Sequence, residues 1–248
     1  MRAMILAAGL GTRLRPLTDD RPKALVEING KTLLEITLRR LATFGIQDVI
    51  VNVHHFAELV IDFLQRNRNF GMRVEVSREN LLLDTGGGLK KAAWFFLEDN
   101  AKEQPFLLHN VDVISTVDFS QMLRRHEESG ALATIAVKDR PTSRYLLFDE
   151  KSQLCGRRTA GVPEDERVRA SRETHAYAFC GIHIISPRLL PMLREDGAFS
   201  IITSYLRLAG EGQSISAFRA DSYYWRDLGT RESVRAAAED SAARTVSL

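Results

Sequence analysis

Apolar residues in the first half of the chain gather into short β-branched or aliphatic runs that alternate with amphipathic stretches, at residues 3–7, 31–44, 48–53, 56–66 and 73–76. That alternation predicts βαβ units and a mainly parallel sheet. Within 31–44, Leu33, Leu34, Leu38, Leu41 and Ala42 recur at helical spacing and leave Lys31, Glu35, Arg39 and Arg40 for solvent. The sheet continues through Phe106, Leu107 and Leu108 after Pro105, then through 131–137 behind a helix over 120–128. Residues 153–174 turn polar and read as a surface excursion or hairpin before the apolar stretch 176–185. An alanine-rich closing helix over 231–243 frays into 244–248. No repeat of fixed period follows, so no C-terminal β-helix is expected. The pattern predicts one α/β domain over 1–248, a mixed, mainly parallel sheet flanked by helices.

Composition narrows this little. With 248 residues, 44% hydrophobic and 27% charged, the chain can bury one substantial core. Lys and Arg total 34 against 32 for Asp and Glu, and a net charge of +2 gives no field that suggests nucleic acid as a partner. The apolar start is too short for a membrane span and lacks a cleavage pattern, so no membrane partner is expected. Cys155 and Cys180 form no C-x-x-C pair, which predicts free thiols in a reducing compartment, the cytoplasm.

The first chemistry appears where the first strand ends, in Leu6-Ala7-Ala8-Gly9-Leu10-Gly11-Thr12-Arg13, with Pro22-Lys23 following. Glycines there let backbone N–H groups approach phosphate oxygens without a side chain in the way. Arg13 offers a planar fork and Lys23 a mobile point charge. Leu14 stands where the dinucleotide fingerprint needs its third glycine, and no Gly-Lys-Ser/Thr ending marks a P-loop. A second cluster, Asp84-Thr85-Gly86-Gly87-Gly88, precedes a predicted helix that Thr85 would cap. Asp112 falls just past a strand's C-terminal end, where open α/β sheets bind ligands, and Asp227 follows another short β-type run. Two such carboxylates would suffice for a hard Mg²⁺ ion.

Together these segments resemble the signature of the sugar nucleotidyltransferases, which make nucleoside-diphosphate sugars from an NTP and a sugar 1-phosphate. The resemblance implies a Rossmann-like nucleotidyltransferase fold and a turn of Ala7, Ala8, Gly9, Gly11 and Thr12 around the triphosphate. It further implies that Arg13 and Lys23 hold the phosphates, that Thr85, Gly86 and Gly87 face the nucleobase, and that Asp112 and Asp227 bind Mg²⁺. Asn110 and Gly181, in the strand Cys180-Gly181-Ile182-His183, are implied sugar contacts. The loop Leu82 to Gly88 looks most like the branch that includes N-acetylmuramate 1-phosphate uridylyltransferase. Guanylyl transfer to mannose or heptose 1-phosphate is the alternative, and a non-catalytic nucleotide-sugar-binding regulator is the alternative of another class. Val111 departs from the Asn-Gly-Asp pattern, and the Glu-Lys-Pro lysine is missing, with Arg144, Arg157 or Arg158 as substitutes. His54, His55 and His175 are given no catalytic role. Oligomeric state stays open.

Overall fold

Strand β1 (Ala3–Leu6) is followed by the short β2 (Glu27–Ile28) and β3 (Lys31–Thr32), helix α1 (Leu33–Thr43), β4 (Asp48–Val53) and α2 (Ala57–Arg66). Next come β5 (Arg73–Arg78), α3 (Asp84–Lys91), α4 (Trp94–Leu97), β6 (Phe106–Asn110), β7 (Val113–Ser115) and α5 (Phe119–Ser129). The second half holds β8 (Ala133–Lys138), β9 (Arg144–Phe148), β10 (Leu154–Thr159), β11 (Glu166–Arg167) and β12 (His175–Ile185). It ends with α6 (Ile201–Gly210), β13 (Ile215–Arg219), β14 (Trp225–Asp227) and α7 (Arg231–Ala242). This computed structural model describes residues 1–98 and 104–243, so the fraying expected at 244–248 lies outside the described residues.

These elements form the expected α/β architecture, a mixed, mainly parallel central sheet flanked by helices. The order is β11-β10-β9-β12-β6-β1-β4-β5, with β8 also beside β12 and β13 beside β8. Strands β5, β4, β1 and β6 run parallel, as does β13 to β8, and β12 runs antiparallel to β6, β8 and β9. The excursion at 153–174 is a hairpin, β10 and β11, and it extends the sheet edge.

Alternate residues of each inner strand feed two separate cores, as a period of two requires. Ala3, Ile5, Val49, Val51 and Leu107 join one core with α1 and α5, while Met4, Ile50, Phe106 and Leu108 join the other with α3, α4 and α6. Helix α1 begins two residues later than the apolar pattern suggests, because Lys31 and Thr32 pair with β2 and the Thr32 hydroxyl caps the helix by accepting from Glu35 N.

Three histidines are sealed into these cores. Burial lowers His109 and His126 to a pKa of about 4 and His183 to about 3, from 6.5. Below pH 6.5 the unfolded chain therefore takes up protons that the folded chain refuses until about pH 4, and stability falls through that window. We expect a urea midpoint that is level above pH 7 and declines on going from 6.5 to about 5, where carboxylates have barely begun to titrate. His126→Gln, which keeps a partner for Thr134 Oγ1, should flatten part of that decline. A midpoint insensitive to pH in this range would contradict the assignment.

Candidate active site

Where β1 ends, Ala7 donates its N–H to Asn52 Oδ1 at 2.7 Å and the chain turns outward. Among the described residues the N–H groups of Ala8, Gly9 and Leu10 make no hydrogen bond. Gly11 sits at φ +65°, a region that L side chains rarely adopt, and a Cβ there would press on Thr18 and on Lys23 Cβ. Its carbonyl accepts from the Thr18 hydroxyl and from Leu14 N, closing the 3₁₀ turn Thr12–Leu14 that presents Arg13. Packing at Gly11 thus places Lys23, which is only 8% exposed and forms an ion pair with Asp112.

Asp112 and Asp227 lie far apart in sequence and are brought together by a two-stranded ribbon. In it, β7 pairs antiparallel with β14, Asp227 opposite Val113, and Leu228 N donates to Asp112 O at 2.7 Å. Asp227 Oδ1 accepts from Gly229 N at 2.8 Å. A Cβ at Gly229 would stand 2.5 Å from Arg13 Nη2 and 2.6 Å from Asp227 Oδ1, so the guanidinium and this carboxylate both crowd that glycine. The four residues singled out as catalytic therefore converge.

They stand at the seam of two cavities. The smaller, about 430 Å³, is lined by Ala7, Ala8, Gly9, Lys23, Asn110 and Asp112, among others. The larger, about 860 Å³, takes in Arg13, Asp227, Arg140, Arg144 and Arg157, and Asp84 and Thr85 border both. Asn110 and Gly181 also meet: Gly181 has φ +73° at the irregularity where β12 passes from β9 to β6, and a Cβ there would lie 2.9 Å from Asn110 Nδ2. Val111 keeps a strand-like link, its N–H donating to Leu6 O, and its side chain joins the core. Its φ is not positive, so a glycine is not needed at that point.

The second glycine cluster differs from expectation. Residues 84–88 are not a loop before a helix but the first turns of α3 itself, with Leu83 at the N-cap position. Thr85 caps a different helix, its hydroxyl accepting from Ile201 N at the start of α6. Gly86 and Gly87 both donate their N–H groups to Phe199 O. A Cβ on Gly86 would run into the Phe199 ring, and one on Gly87 would be 2.5 Å from Gly197 O. Close helix-to-loop packing accounts for these glycines. Among the candidates for the missing lysine, Arg158 is turned to Asp165 and does not line the cavity, and Arg157 is paired with Glu166.

Three further residues at or beside these cavities carry no clear mark in the sequence. Arg140 lies over the Trp225 ring at 4.2 Å, donates to Phe179 O, and faces the larger cavity without a carboxylate partner among the described residues. Asn52 and Glu79 are buried beside the smaller one. A polar residue in the run Val49-Ile50-Val51-Asn52-Val53 is the available signal for Asn52; nothing local marks the other two.

Known proteins resemble this chain along most of its length. The chain is 33% identical to the N-acetylmuramate alpha-1-phosphate uridylyltransferase of Caulobacter vibrioides over 95% of this chain and 94% of that one. It is 35% identical to a UTP--glucose-1-phosphate uridylyltransferase of Synechocystis over 92% of this chain, spanning 60% of that protein's length. The crystal structure of HddC from Yersinia pseudotuberculosis complexed with GMP-PN has the same fold, with a TM-score of 0.74 at 24% identity over 96% of this chain and 98% of that one. A model of the nucleotidyl transferase family matches residues 2–244, and the chain belongs to that family of enzymes.

Proposed function

We propose that the chain is a cytoplasmic sugar-1-phosphate nucleotidyltransferase that transfers a nucleoside monophosphate from an NTP to a sugar 1-phosphate and releases pyrophosphate. In our reading the donor is UTP and the acceptor an N-acetylated amino-sugar 1-phosphate such as N-acetylmuramate 1-phosphate. The convergence of Arg13, Lys23, Asp112 and Asp227 at the seam of two cavities carries the reaction class. The smaller cavity takes the nucleotide, with Ala7, Ala8, Gly9, Gly11 and Thr12 around the phosphates and Thr85 on the base side, where Gly86 and Gly87 act by holding the first turn of α3 against Phe199. Asn110 and Gly181 stand toward the sugar.

The acceptor phosphate oxygen is already anionic and needs no protein base. It attacks the α-phosphorus in line, a new P–O bond forming as the bond to the bridging oxygen breaks and pyrophosphate leaves. Positioning and charge neutralisation do the work. Arg13 and Lys23 hold the negative charge that develops on the leaving group. Arg140 and Arg144, with no carboxylate partner among the described residues, hold the acceptor phosphate in place of the absent Glu-Lys-Pro lysine.

Asp112 and Asp227 fit a divalent cation by the chemistry of their donor set, since Mg²⁺ takes one or two carboxylates and fills its shell with phosphate oxygens and water. Among the described residues there is no denser cluster of His, Cys, Asp or Glu that would select a softer metal. When bound, Mg²⁺ would supply positive charge against the phosphate oxygens.

The relative in Caulobacter, matched nearly end to end, and the sequence of segment 82–88 support the choice of substrate pair. Pyrophosphate release should be measured with Mg²⁺, crossing UTP, GTP, CTP and dTTP against N-acetylmuramate, N-acetylglucosamine, glucose and mannose 1-phosphates. UTP with an N-acetylated amino-sugar phosphate is the expected pair. GTP with mannose 1-phosphate would keep the mechanism and replace the substrates, and silence from every pair would remove the reading.

A further inference from the structure

Glu79 is a carboxylate 5% exposed, with no cation within ion-pair distance among the described residues. Its Oε1 accepts from Asn52 Nδ2 at 2.7 Å and its Oε2 from Leu83 N at 2.9 Å. Asn52, 2% exposed, accepts from Ala7 N through its other amide atom. Three hydrogen bonds thus join the end of β1 to the start of α3, which are two walls of the smaller cavity. Gly88 makes room for this chain of bonds, because a Cβ there would lie 2.7 Å from Glu79 Oε1 and 2.8 Å from Asn52 Nδ2.

We propose that Asn52 and Glu79 are positioning residues that set the width of the nucleotide cradle, acting on the triphosphate through Ala7 and Leu83 without touching the reacting atoms. The proposal rests on the reading of the smaller cavity as the nucleotide site.

Hydrogen-bond parity makes the arrangement testable. Both ends of the relay are backbone N–H donors, so an amide can pass the bond along at position 52 only if position 79 accepts twice. An ionised carboxylate does so, whereas glutamine of the same shape must set one N–H against another. Glu79→Gln therefore breaks one link with almost no change of volume. Asn52→Asp breaks the middle link differently, by setting two carboxylates face to face. The double variant Asn52→Asp/Glu79→Gln restores every link. In it the carboxylate at position 52 accepts from Ala7 N and from the side-chain amide at position 79, whose carbonyl oxygen in turn accepts from Leu83 N.

The experiment is pyrophosphate release by the wild type, both singles and the double, with KM for the NTP and for the sugar 1-phosphate determined separately, and with melting temperatures taken alongside. Each single should raise the NTP KM by about tenfold, the factor that one lost buried hydrogen bond represents. The sugar-phosphate KM should move less than about twofold, and the double should return to within about threefold of wild type. Singles that leave the NTP KM unchanged, singles that raise both constants alike, or a double no better than its worse parent would each overturn the proposal. A wild type that turns over no triphosphate removes the site reading and this proposal together, whereas an active wild type with indifferent variants removes this proposal alone.

Discussion

Asp112→Asn should lower kcat by about 10²- to 10³-fold, and Asp227→Asn should do the same, with each protein still folded. The backbone contacts that build the site survive both changes. Leu228 N bonds to the carbonyl of residue 112, not to its side chain, and an amide oxygen introduced at position 227 can still accept from Gly229 N. What disappears is charge. In Asp112→Asn the Lys23 ammonium also loses its counter-ion, but it lines an open cavity where water can reach it, so the expected loss of stability is about 1 kcal/mol and not the several of a sealed ion pair. The check is single-turnover kinetics at saturating Mg²⁺ beside a thermal melt. Near-normal turnover in either variant would sink the assignment of that aspartate.

The fold is legible wherever one physical cause acts on one stretch of chain. The continuous apolar runs that become β1, β4 and β6 follow from burial on both faces of the sheet and the helical spacing in α1 from burial on one, and the pattern places them within a residue or two. The site is legible as a set of residue types near strand ends. It is not legible as a geometry, because the ribbon of β7 and β14 that joins Asp112 to Asp227 uses two three-residue strands more than a hundred positions apart. Gly86, Gly87 and Gly88 show a different limit. A glycine cluster signals that something comes close, without saying what, and here the neighbours are Phe199, the Gly197 carbonyl and the pair Glu79 and Asn52. Thr85 reads as a cap correctly in chemistry but for the wrong helix, since the N–H it serves belongs to Ile201. Val111 can be read only against a pattern, and the structure shows that the pattern's glycine is dispensable at that φ.

Arg13→Ala should reduce kcat/KM by about 10²-fold or more while the melting temperature stays unchanged, because the guanidinium forms no hydrogen bond or ion pair with the described residues. An unpaired cation at the rim of a site stabilises nothing in the free protein. Set about 4 Å from a phosphate at an effective dielectric of 20 it is worth roughly 4 kcal/mol, and solvent exposure reduces that figure. Arg13→Lys keeps the charge but loses the fork, so it should fall between the two. Gly229→Ala reaches the same group from the other side. The backbone there is not left-handed, so alanine brings no strain of its own, but its Cβ would stand 2.5 Å from Arg13 Nη2 and 2.6 Å from Asp227 Oδ1. The flexible arginine must swing away, and activity should drop by about tenfold or more at nearly constant stability. If Gly229→Ala works as well as wild type while Arg13→Ala does not, the guanidinium acts from a position other than the one beside Gly229. If both variants are fully active, Arg13 has no part in holding the phosphates.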